Sequence, residues 1–274
     1  MEIRTILVNV DLDAVSPALV KCAAALAGRF GASLIGLAAA EPSPALIGVD
    51  GAVAAAEFYA QERADIEAQL QLAEAQFRAA VPAGIEVSWR GSIEAPNRSL
   101  AATARRADLI VTGSHLDNAG AGYLRRVDVG ELVLGAGRPV LVASADAAEI
   151  KAETVVIGWK DTREARRAVA DALPLLKAAA TVVAVSISEG DLGAEQASLE
   201  DLLAWLRRHD IAAKGDVHAA EQGQAETLAA IAGRLGSDLI VTGGYGHSRL
   251  REWLFGGVTR DLLAAPTVNR FMSN

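Results

Sequence analysis

Four glycines near the end of the chain carry the clearest chemistry: Gly243, Gly246, Gly256 and Gly257. They stand in the pattern Gly-Gly-Tyr-Gly, nine residues, Gly-Gly-Val-Thr. A glycine has no Cβ, so its N–H can approach an anion closely. A helix that starts just after the second pair would add unpaired N–H donors and a partial positive charge. The pattern therefore suits a phosphate cradle, and through it a nucleotide. His247, Ser248, Arg249 and Arg251 lie between the glycine pairs, and Arg260 lies in the first turn of the expected helix. They read either as groups that neutralise or hydrogen-bond phosphate or as a solvated loop.

The elements that must position such a cradle follow from the apolar pattern. Asp238-Leu-Ile-Val-Thr242, just before the first glycine, reads as a buried parallel strand. The same motif occurs earlier as Asp108-Leu-Ile-Val-Thr112, a shift of 130 residues. That shift also carries residues 139–142 onto 269–272. Nearer each start, Ile6-Leu-Val-Asn-Val10 resembles Val155-Val-Ile-Gly-Trp159 at a shift of 149. The chain is thus a repeat of itself, with about 19 extra residues in the first copy, expected at residues 41–59. A polar link near 145–153 predicts two domains, 1–147 and 151–274.

Each copy alternates strand and helix. Strands are predicted at 5–10, 33–39, 85–89, 109–112 and 140–143, then at 154–159, 181–188, 214–219, 239–242 and 268–272. Helices are predicted at 16–30, 57–81, 95–107 and 129–135, then at 164–178, 194–209, 226–235 and 259–264. This alternation implies an α/β fold of two tandem five-stranded parallel sheets, covered by helices on both faces. Ligands of such sheets sit beyond the carboxyl ends of the strands, where the glycines of the second copy fall. The last strands, 139–143 and 268–272, are expected to pair within the chain and cover each other's edge. Asn269 and Arg270 make the second of these a poor apolar strand, as an edge only partly satisfied would be.

Composition limits the remaining classes. The net charge is −8 and aromatic residues are 4%, which argues against sequence-independent nucleic-acid binding and against anionic membranes. No apolar run reaches the ~20 residues of a membrane helix. The opening Met1-Glu-Ile-Arg4 has neither a basic nor an apolar leader region, so a cytoplasmic location is expected. The single Cys22 lies on an Ala-rich helical pattern and reads as core packing. His115, His209 and His218 are scattered, with no metal-ligand spacing. There is no Gly-x4-Gly-Lys-(Ser/Thr) loop and no evident acidic partner for phosphoryl transfer, so no catalytic residue is assigned.

The pattern Gly-x2-Gly-x9-Gly after the fourth strand of a five-stranded unit resembles the ATP-binding motif of the universal stress protein family. The opening Ile6-Leu-Val-Asn-Val-Asp11 and the segment 155–165 resemble that family's first-strand region, the latter as seen in tandem members. The resemblance implies a Rossmann-type fold and a stress-response regulator that binds ATP, with or without Mg2+, and at most hydrolyses it slowly. It implies phosphate contacts from Gly243, Gly246, Gly256, Gly257 and Val258, and a backbone contact near Ile187. The family's first-strand carboxylate falls on Asp11 in the first copy and on Lys160 in the second, beside Trp159. The motif's Ser/Thr is Gly257 here, and Thr259 stands two residues on, to cap the helix or reach a phosphate oxygen. In the first copy Ser114, Leu116, Arg126 and Val127 replace Gly244, Gly246, Gly256 and Gly257, so that site is expected to be empty. A further dimer of chains stays open, as does an alternative function: an interaction scaffold, or a binder of another small ligand, with the glycine loop as a relic.

Overall fold

The computed structural model describes residues 2–43, 52–113, 124–144, 149–188, 192–220, 223–244 and 268–274. The first half runs β1 (Thr5–Asn9), α1 (Pro17–Phe30), β2 (Ser33–Ala39), α2 (Ala52–Ala80), β3 (Val87–Ser92), α3 (Pro96–Ala104), β4 (Leu109–Gly113), α4 (Val129–Gly135) and β5 (Val140–Ala143). The second half continues with β6 (Thr154–Trp159), α5 (Arg163–Asp171), α6 (Leu173–Ala178), β7 (Thr181–Ser188), α7 (Leu192–Arg208), β8 (Ala213–Ala219), α8 (Gln224–Arg234), β9 (Leu239–Gly243) and β10 (Asn269–Ser273).

The strands form one ten-stranded sheet in the order β3-β2-β1-β4-β5-β10-β9-β6-β7-β8. Every neighbouring pair is parallel except β5 with β10, which run antiparallel and align Leu141 with Phe271. Each half supplies five strands in the same relative order, so the two carboxyl edges, and the crevices above them, point in opposite directions. β10 is therefore not an edge: β5 flanks it on one side and β9 on the other. Its polar residues act as staples. The Asn269 amide donates to the Asp238 carbonyl at 2.9 Å, and its oxygen accepts the Ser144 N–H at 3.0 Å.

Alternation along the strands sorts the core into two layers. Ile6, Val8, Val155, Ile157 and Phe271 face a continuous cluster with α1, α2, α5, α6 and α7. Leu7 and Met272 face α3 and α4, and Val156 and Ile240 face α8. The repeated aspartates explain part of the repeat. Asp108 accepts the N–H groups of Arg4 and Thr5 at 2.9 and 3.0 Å, and Asp238 accepts those of Glu153 and Thr154 at 3.0 and 3.1 Å. Each fixes the start of the first strand of its half.

Three predicted boundaries move. The helix expected at 164–178 is broken into α5 and α6, because Pro174 has no N–H to continue the ladder. The third strand starts later, at Val87, because Gly84 turns the chain at φ 95° first. The extra residues of the first copy are partly helical: α2 has 29 residues against 17 in α7.

Candidate functional site

At the carboxyl edge of the second half, β6 ends at Trp159, β7 at Ser188 and β9 at Gly243. α5 begins beside them, capped by Thr162, whose hydroxyl accepts the Ala165 N–H at 3.2 Å. Gly243 packs directly on this helix start. A Cβ on it would stand 2.5 Å from the Ala165 nitrogen and 2.8 Å from the Glu164 carbonyl carbon. Gly244 meets the other half: a Cβ there would stand 2.6 Å from Val133 of α4. The Gly244 N–H donates to Ser273 O at 2.8 Å, and the Asn274 amide donates to Gly244 O at 2.9 Å. The chain therefore leaves β9 through two glycines that close packing requires. Gly246, His247, Arg249, Gly256, Gly257, Val258 and Thr259 lie outside the described residues.

The other predicted contacts are distributed around this edge. Lys160 is exposed on the β6–α5 turn and makes no ion pair among the described residues, and its carbonyl accepts the Thr162 N–H at 2.7 Å. Asp161 beside it is committed to Arg166 at 2.7 Å. The Ile187 side chain packs toward the α8 layer. Trp159 is buried on the opposite face, where its indole N–H donates to Ser198 of α7 at 3.0 Å. Trp159 thus lines a cavity between α5 and α7, together with Val169, Leu202 and Trp205.

Two groups escaped the sequence reading. Glu164, in the first turn of α5, has its main chain against Gly243 and carries a buried carboxylate, with which the exposed Arg163 pairs at 2.8 Å. Counted from the helix caps Ser16 and Thr162, its first-half counterpart is Ala18. The second group is Thr242. In the first half, Asn9 donates its amide to the buried Thr112 hydroxyl at 3.3 Å. In the second half Asn9 becomes Gly158, and the buried Thr242 hydroxyl has no hydrogen-bond partner among the described residues. The signal was present in the sequence, as an Asn-to-Gly change opposite an unchanged threonine.

At the corresponding edge of the first half, side chains bond to one another. Arg125 donates to Asp13 at 2.7 Å and to Gln69 at 2.7 Å, tying the loop after β1 to α2. The hydrogen bond to Asp13 raises the Arg125 pKa above its ordinary value. Asp11 accepts the Asp13 N–H at 2.9 Å and shapes that loop. At the start of α4, the Asp128 carboxylate accepts the Glu131 N–H at 2.9 Å. Asn97 accepts the Asp128 N–H at 3.0 Å and donates to Glu131 at 2.8 Å. A carboxylate thus caps the helix start, where a cradle would place a phosphate. Among the described residues, no group of His, Cys, Asp and Glu could hold a metal ion, and no helix is long and apolar enough to cross a membrane.

This is an α/β, Rossmann-type fold, and solved structures share it across the whole chain. A universal stress protein from Archaeoglobus fulgidus DSM 4304 is 15% identical, covers 100% of this chain and 97% of its own, and gives a TM-score of 0.74. A putative universal stress protein from Pseudomonas aeruginosa UCBPP-PA14 is 18% identical, covers 99% and 93%, and gives 0.60. A functionally unknown protein from P. aeruginosa PAO1 is 17% identical, covers 99% and 92%, and gives 0.60. No curated protein matches the chain. Residues 2–131 match the model of the universal stress protein family. The matched residues are those of the first half.

Proposed function

We propose that this protein binds an adenine nucleotide, ATP, at the second-half crevice and acts as a cytoplasmic stress-response regulator rather than a dedicated catalyst. The two halves, 1–147 and 151–274, are read as tandem domains of which the second holds the ligand. The observation that carries this reading is the contrast between the two crevices. The first satisfies its own donors and charges through Asp128, Arg125 and Asp13. At the 130 shift Asp128 and Arg125 become Val258 and Phe255, and the loop before the Thr162 cap is three residues shorter than that before Ser16, so the same ion pair and carboxylate cap are not encoded. Glycines of this spacing would suit an external anion. Gly246, Gly256, Gly257 and Val258 are proposed as phosphate contacts, with Thr259, His247, Arg249 and Lys160 as the polar groups around them. Ile187 lies next to the end of β7, and Trp159 ends β6 with its ring on the opposite face. Mg2+, if bound, would be held chiefly by the phosphates, since acidic ligands are scarce there.

The competing reading is a scaffold that binds no nucleotide. It is favoured by two observations: packing alone accounts for Gly243 and Gly244, and Lys160 cannot accept a hydrogen bond from ribose or adenine. Heating the purified protein, extracting it and chromatographing the supernatant separates the two. Released adenine nucleotide supports the first. A ligand-free extract, together with no thermal shift in Mg-ATP, supports the second. A bound nucleotide at one hundred times its Kd stabilises the folded chain by about 2.7 kcal/mol, which melting curves resolve easily.

A further inference from the structure

The cavity between α5 and α7 has a volume of about 340 Å³, at the small end of ligand-site sizes. Trp159, Val169, Leu202 and Trp205 form its apolar wall, and Ser198, Asp161, Arg166 and Asp201 form its polar rim. Its walls are held in place. The Trp159 indole N–H is fixed on Ser198, so this residue offers the cavity its ring rather than a donor. Trp205 is braced by the His209 ring, centroid to centroid at 4.2 Å. At the rim, Asp161 and Arg166 neutralise each other at 2.7 Å. Asp201 makes no ion pair or hydrogen bond among the described residues, so the rim carries one uncompensated negative charge.

Two indole rings beneath a free carboxylate make a receptor for a cation, because ring faces attract positive charge and the carboxylate adds direct attraction. The combination belongs to the second half alone. At the 149 shift of the strands Trp159 becomes Val10, and counted from the helix caps Ser16 and Thr162, Arg166 and Val169 become Val20 and Ala23, an aliphatic set with no charge. We propose that the α5–α7 cavity is a second ligand site, separate from the glycine crevice, and that it takes a small flat organic cation of about one ring.

Three ring compounds of one shape test this: benzamidinium, neutral benzamide and anionic benzoate, each titrated calorimetrically into the full chain. Benzamidinium binds about tenfold tighter than benzamide, and benzoate does not bind. Asp201→Asn brings benzamidinium to the benzamide level, and Trp205→Leu weakens both. Should Trp205→Leu fold poorly, Asp201→Asn carries the test, since its side chain is at the surface. Saturating Mg-ATP leaves the benzamidinium isotherm unchanged. Equal affinity for the three compounds would overturn the proposal, as would an unchanged isotherm in Asp201→Asn, absence of benzamidinium binding at millimolar concentration, or displacement by Mg-ATP.

Discussion

A methyl group on Gly243 would press against the main chain of α5, which cannot rotate away as a side chain could. Gly243→Ala is therefore expected to cost about 1–3 kcal/mol of stability, read as a lower denaturant midpoint with or without nucleotide. From the sequence, this glycine looks like part of an anion cradle. Its packing role was hidden because the contact comes from α5, which lies some 80 residues earlier in the chain. Cys22 was legible, since its helical spacing among alanines marks a core position. It is 1% exposed, and burial followed by the charge of Glu149 pushes its thiol up. The native protein is expected to react with a thiol reagent only upon denaturation; rapid modification in native buffer would contradict this. Arg270, 3% exposed in β10, has its pKa lowered by burial to about 10. The folded form sheds this proton first. Above about pH 10 and up to the ordinary guanidinium value the unfolded chain binds more protons, so this group adds stability as pH rises. Comparing the parent with Arg270→Met by denaturant unfolding from about pH 9 to about pH 11 should show the difference moving in the parent's favour.

At the scale of elements, strands bounded by Gly, Asp or polar turns were readable residue by residue, as β2, β5, β6 and β7 show. The helix break at Pro174 was not, because the apolar spacing runs through it and only the missing N–H marks the stop. The polar face of β10 was misleading. Asn269 looks like a solvent-exposed edge residue in sequence, yet it bonds across to both neighbouring strands. α4 shows how an element can carry a negative functional statement. Its Asp128 cap satisfies the helix start, and Val258 stands at the matching place in the second copy. Asp128→Ala is expected to destabilise the protein by about 1 kcal/mol while leaving nucleotide binding unchanged. Loss of nucleotide binding in that variant would mean that the first-half crevice contributes to the site.

At the scale of the molecule, the antiparallel seam between β5 and β10 joins ten strands into one sheet and buries Val140, Leu141, Val142, Phe271 and Met272. Gly244 against Val133 carries contact across the same seam. Residues 1–147 expressed alone would bare the β5 edge, and light scattering should find them self-associated. A stable monomer would show that the seam is dispensable. The seam also sets the two crevices on opposite edges of the sheet, and the proposed nucleotide site is the second.

Calorimetric titration of Mg-ATP into the full chain, Gly256→Val and Gly113→Val tests that assignment most directly. A single nucleotide per chain is expected for the parent and for Gly113→Val, and none for a Gly256→Val protein that still melts cooperatively. Absence of binding in the parent, or its loss in Gly113→Val with retention in Gly256→Val, would contradict it.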